Sequence, residues 1–182
     1  RDWPLKALRT LLTIHRELQP HVVVDLRGWS ERITTHHRRA IRRTERRGLD
    51  IRVEDDPCAF VPDWCRLYAT LVGRADIRGL RAFSPAIFAT MARVPGTRII
   101  SARLDGEVVG ADWYLEDGPL VYAHLSAYAD RGYTVGASYA LLATALDDFS
   151  ARGCAQLDLG GVPSDGATGG LRSFKSGWSP LT

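Results

Sequence analysis

The stretch from Thr97 to Tyr128, "TRIISARLDGEVVGADWYLEDGPLVYAHLSAY", restricts the fold more than any other part of this chain. Three apolar runs are separated by Asp105-Gly106 and Asp117-Gly118. An Asp-Gly pair between apolar runs is the strongest short-range hairpin signal, because glycine reaches the positive φ that a tight turn requires. Three successive antiparallel strands are therefore predicted. The segment after them, "GASYALLATALDDFSARG", is apolar around most of its circumference, with a polar stripe of Thr144, Asp147 and Asp148. A helix of that kind has to lie against a sheet.

The rest of the chain supplies further elements. "HVVVDLRG", "LDIRVED" and "CAQLDLGG" read as strands. Trp64, Leu67, Tyr68 and Leu71 follow the i, i+3, i+4, i+7 spacing of a helix, "SPAIFATMARV" is a shorter helix, and Leu5, Leu8, Leu12 and His15 mark one near the start. "SERITTHHRRAIRRTERRG" is predicted as one helix, with Ser30 as its N-cap and Gly48 as its stop. Together these predict an α/β domain: a mixed, mostly antiparallel sheet flanked by helices.

Hydrophobic residues make up 45% of 182, enough for one real core. No apolar run reaches the roughly 18 residues of a membrane-spanning helix. The three cysteines form no C-x-x-C pair and the five histidines have no metal-ligand spacing. Neither a disulfide framework nor a metal site is expected, and a cytoplasmic location fits.

Charge is unevenly placed. Arg27 to Arg52 holds nine arginines against Glu31, Glu45 and Asp50, so this segment carries more than the whole net charge of +3. Arg39, Arg42, Arg43, Arg46 and Arg47 fall within about two and a half helical turns. Such a face neutralises phosphates, or serves as solvated surface with Ile33, His37, Ala40, Ile41 and Thr44 turned inward. Gly136, in the turn before the apolar helix, either adds a phosphate-binding helix N-terminus or serves only the turn's geometry.

The third feature is "LDLGGVPSDGATGGLRSFK". Asp158 ends a strand just before Gly160-Gly161, where open α/β sheets place ligand sites. Lys175 is one of only two lysines, beside 22 arginines. A compact ammonium serves an oxyanion differently from the planar guanidinium fork, so its scarcity points to a role beyond charge. Ser126, Ser138, His124 and Asp112 lack the nucleophile-elbow sequence of a triad. Cys154 reads as packing, and Tyr128 and Tyr133 as aromatic walls or proton carriers.

Taken in order, "VVVDLRG", "HHRRAIRRTERRG", "ARLDGEVVGADWYL", "ARGCAQLDLGG" and "GLRSFKSGW" resemble the FemABX-type aminoacyltransferases, divergent members of the GNAT acyltransferase superfamily. The resemblance runs from about Val22 to Trp178. It implies a GNAT-like fold over residues 29–182, preceded by a lead-in helix and strand over 1–28, with an additional lobe upstream. It also implies transfer of an amino acid from aminoacyl-tRNA to an acceptor amine, on a peptidoglycan precursor or a peptide-type natural product, with no tightly bound cofactor. In that family's Phe-Lys pair, matched by Phe174-Lys175, the lysine polarises the ester carbonyl. Arg172, Gly160, Gly161 and Tyr128 are then expected at the substrate. Asp158 is expected in catalysis, and Arg39, Arg42, Arg43, Arg46 and Gly136 at tRNA phosphates.

Two alternatives stand beside this expectation. One is an acetyl-CoA-dependent GNAT N-acyltransferase acting on a small amine. Its usual Arg/Gln-x-x-Gly-x-Gly/Ala loop lacks the first glycine here, where Arg131 leads to Thr134 and Gly136. The other is a non-catalytic RNA-binding module.

Overall fold

The computed structural model describes residues 20–79, 82–161 and 169–179. The expected helix around Leu5 to His15 and the glycine-rich loop from 162 to 168 lie outside the described residues. Among the described residues six strands form one sheet: β1 (His21–Asp25), β2 (Asp50–Val53), β3 (Thr97–Leu104), β4 (Glu107–Asp117), β5 (Leu120–Tyr128) and β6 (Gln156–Gly161). Their spatial order is β1-β6-β5-β4-β3-β2. Every neighbouring pair is antiparallel except β5 and β6. The Asp-Gly turns join β3 to β4 and β4 to β5 as predicted. Asp105 and Gly106 both take positive φ, 54° and 83°.

Helices cover both faces. On one, α3 (Pro57–Ala75) and α4 (Pro85–Met91) bury Phe60, Trp64, Leu67, Tyr68 and Phe88 against Ile99, Ala111 and Trp113. Asp56 caps α3 by accepting from the Cys58 amide at 2.8 Å. On the other face α6 (Ala137–Ala151) buries Leu141, Leu142, Leu146 and Phe149 over Ile100, Tyr114 and Leu157. A short helix, α5 (Asp130–Val135), leads into it. The period-two alternation of each strand separates these cores: Ile99 and Trp113 face α3, Ile100 and Tyr114 face α6.

The arginine segment differs from the single helix expected. A short helix α1 (Trp29–Arg32) ends at Ile33, whose backbone is extended, and α2 (Thr35–Glu45) begins afresh. Thr34, not Ser30, caps α2, its hydroxyl accepting from the His37 amide at 3.3 Å. The break is tertiary in origin. Trp29 is anchored by its indole N–H on Asp147 of α6, at 3.0 Å, while the Thr34 amide donates to the Gly177 carbonyl at 3.0 Å. One straight helix would not satisfy both.

The strand of the lead-in, β1, is an edge strand of this sheet, paired antiparallel with β6 through Val23↔Asp158 and Val24↔Leu157. The parallel β5–β6 register covers three pairs, from Leu120↔Gln156 to Tyr122↔Asp158, and stops there. β5 continues to Tyr128 and β6 to Gly161 without further mutual pairing. Ahead of this parting the chain returns in α7 (Gly169–Ser176), which carries Phe174 and Lys175.

Candidate active site

Helix α7 is held by a contact between aromatic groups. His37, buried on α2, joins Nε2 to the Phe174 carbonyl at 2.8 Å and Nδ1 to the Thr34 hydroxyl at 2.9 Å. A carbonyl only accepts, so Nε2 carries the proton and Nδ1 accepts from the hydroxyl. Burial lowers the imidazole pKa, opposed by the Phe174 carbonyl and reinforced by His36. Trp178, fully buried, packs edge-on to His37 with ring centroids 5.0 Å apart. Tyr139 and Phe174 close the cluster at 5.1 Å.

This docking fixes Lys175. Its ammonium donates to the Gly161 carbonyl at 2.9 Å, at the end of β6. Gly160 beside it has φ 78°, and a Cβ there would meet Nζ at 3.6 Å. Partial burial lowers the Lys175 pKa, while the charge of Asp158 opposes the shift. Asp158 itself is engaged elsewhere. One carboxylate oxygen accepts from the Gly160 amide at 2.7 Å and the other meets His21 Nδ1 at 2.7 Å. It alternates with Leu157 and Leu159, which are buried in the α6-side core.

Lys175 and Phe174 line a cavity of about 540 Å³ beside the β5–β6 parting. Ala123, Ser126 and Tyr128 of β5 and Leu159 of β6 contribute to its wall. Asp112, in the middle of β4, also lines it and is 4% exposed. The Tyr128 and Tyr114 hydroxyls donate to its two oxygens at 2.6 and 3.1 Å. Burial pushes its pKa up to about 6, against the opposing hydrogen bonds of Tyr128, Ser126 and Tyr114. Burial likewise raises both phenols well above their ordinary value, with the nearby Asp112 charge adding to it. In the sequence Asp112 is a lone carboxylate in the apolar run "VVGADWYL", and the structure adds that Ala111 and Trp113 on either side of it are buried.

The expected phosphate residues divide. Arg43 and Gly136 line one hollow of about 160 Å³ between α2 and α5, with Tyr133 and Tyr139. These two tyrosines line the larger cavity as well, so the hollow and the cavity share a wall. Arg47 ties the hollow's edges by donating to the Thr134 carbonyl at 2.7 Å. Arg42 instead lines a groove of about 650 Å³ with Trp29, Ile41 and Asp147. Arg39 and Arg46 are exposed, the latter donating to the Arg42 carbonyl at 3.1 Å. At the α5–α6 turn the Gly136 amide donates to Tyr133 and the Tyr139 amide to Gly136, at 3.1 and 3.0 Å. Arg172 is exposed on α7, and its carbonyl accepts from the Ser176 hydroxyl.

Lys175, Phe174 and Tyr128 therefore share one cavity, with Gly160 and Gly161 at the lysine. Asp158 and Arg172 do not line it. Among the described residues, no group of three His, Cys, Asp or Glu is placed to hold a metal, and no helix is long and apolar enough to cross a membrane.

No curated protein matches this sequence. Among solved structures, FemX superposes with TM-score 0.76 at 11% identity, covering 96% of this chain and 64% of that one. L-PGS from Bacillus licheniformis superposes with TM-score 0.74 at 18% identity, covering 97% and 61%. The chain thus spans about three fifths of the length of these structures, and at such identities the likeness shows a shared fold. The Acetyltransferase (GNAT) domain family matches residues 32–176, from α1 through the lysine helix, and the chain belongs to that family.

Proposed function

We propose that this acyltransferase domain moves an amino acid from aminoacyl-tRNA to an acceptor amine. The acceptor nitrogen attacks the ester carbonyl, a C–N bond forms, the C–O bond to the terminal ribose breaks, and the leaving ribose hydroxyl takes up the proton. Lys175 stabilises the tetrahedral oxyanion. The observation that carries this reading is the shared wall: Tyr133 and Tyr139 border both the cavity holding Lys175 and the hollow holding Arg43 and Gly136. An acyl group in the first leaves phosphates at the second. Within that hollow the Arg43 guanidinium supplies the charge-assisted hydrogen bonds that recognise a phosphate. The likeness to FemX supports the same reading.

The family's acetyltransferase character favours a second reading, acetyl-CoA-dependent acylation of a small amine. One assay separates them. The protein is incubated with labelled aminoacyl-tRNAs, or with labelled acetyl-CoA, and a panel of amines. Amide product from aminoacyl-tRNA alone is expected. Micromolar acetyl-CoA binding (about −8 kcal/mol) with acetyl transfer and no aminoacyl transfer would replace the first reading by the second.

A further inference from the structure

We infer that Asp112 is the specificity-determining residue of the cavity, a carboxylate that holds a primary ammonium group of the aminoacyl donor; this rests on the aminoacyl-transfer reading above. Among the described residues lining the cavity, Asp112 is the sole acid, and its neighbours there include Leu71, Leu142 and Leu159. The groups that act on Asp112 are Tyr128, Ser126 and Tyr114, with no contribution from Lys175, whose ammonium donates to the Gly161 carbonyl. Tyr128, Tyr114 and Ser126 each hydrogen-bond to it. A carboxylate accepts about four hydrogen bonds, so one acceptor site remains for a donor from the cavity.

The energetics point the same way. A buried carboxylate without a cation costs stability, and an apolar or amide side chain in β4 would pack without that cost. A substrate ammonium entering the cavity supplies the missing countercharge in a low-dielectric site, where such a hydrogen bond is strongest.

The chemistry of the reaction identifies which amine it is. The acceptor nitrogen must be neutral to attack. An amine held against Asp112 stays protonated, because an α-amino group (about 7.7–8.0) and, by a wider margin, a side-chain amine are both more basic than a carboxylate titrating at about 6. Asp112 therefore suits the amine that does not react, on the donor. Two sources share this chemistry, the α-ammonium common to all aminoacyl esters and a side-chain ammonium of a diamino acid.

The test compares the aminoacyl-tRNA that the wild-type protein uses with two altered donors. In one, nitrous acid has replaced the α-amine by hydroxyl; in the other, where the amino acid has a side-chain amine, that amine is acetylated. The wild-type protein is expected to use one altered donor about 10- to 100-fold less efficiently in kcat/KM, the range for a hydrogen bond to a charged group. Asp112→Asn should reduce that discrimination to about threefold or less, with the altered donor hardly affected. Discrimination that survives in Asp112→Asn, with both donors slowed alike, would overturn the inference in favour of a structural role. So would equal use of all donors by the wild-type protein, a result that needs no variant to fold. Absence of any transfer from aminoacyl-tRNA would instead overturn the reaction itself, and the inference with it.

Discussion

The imidazole of His37 occupies the space that any side chain at Gly177 would need: a Cβ there would fall among the ring atoms. His37 lies on α2 and Gly177 directly follows α7, and their approach brings α7 onto α2 with Lys175 two residues away. Gly177→Ala is expected to displace a ring that two hydrogen bonds hold, costing about 1–3 kcal/mol as overpacking does. Urea unfolding measures it. A loss below a few tenths of a kcal/mol would mean that the ring moves freely.

Lys175→Ala should lower the single-turnover rate of acyl transfer by about 10²–10³, as for loss of one oxyanion donor. Lys175→Arg should not restore it, because the planar fork does not reproduce a point charge at the Gly161 carbonyl. Near-normal turnover in Lys175→Ala would remove the lysine from the mechanism.

Arg39→Ala/Arg43→Ala should weaken tRNA binding. It should also reduce the slope of log affinity against log salt by about one for each phosphate no longer neutralised. The effect belongs in KM, with the single-turnover rate at saturation nearly unchanged. Filter binding over a range of salt concentrations checks it, and an unchanged slope would leave these arginines as solvated surface.

Asp112 has a consequence for stability against pH. Burial raises its folded-state pKa from 3.8 to about 6, so the folded chain holds this proton more tightly than the unfolded chain does. Below pH 4 both states are protonated and the group carries no penalty. From pH 4 to 6 the unfolded chain ionises this carboxyl while the folded chain keeps it protonated, so about 3 kcal/mol is lost, and the loss levels off as the pH rises past 6 and the folded chain ionises too. Unfolding of the wild type and Asp112→Asn, compared from pH 4 to 7, should show the wild type losing ground to the variant by about that amount. A difference independent of pH would mean that Asp112 titrates normally.

Much of the frame was legible in the chain. The Asp-Gly pairs at 105 and 117 located the meander, and the spacing of Trp64, Leu67 and Tyr68 located α3 with these side chains buried. The arginine segment was read as one helix because Ser30 and Thr34 are both good caps, and nothing local chooses between them. Trp29 on Asp147 and Thr34 on Gly177 make that choice from across the fold. Asp112 is not legible as a binding group, because a lone carboxylate in an apolar strand has meaning only once the strand is known to be buried. For Asp158 the reverse holds. Its place before Gly160-Gly161 was plain, but its engagement by His21 was not.

Local chemistry along the chain was enough for the six strands and for α3, α4 and α6, because turn residues and hydrophobic period act between positions a few residues apart. It also marked Lys175 as unusual through its scarcity among arginines. Which polar groups share a cavity was settled by packing in three dimensions. His37 and Phe174 are 137 residues apart, and Asp112 meets Tyr128 across paired strands. Such contacts arise when two buried faces of one sheet are covered, and no local pattern encodes which charge is left inside when those faces close.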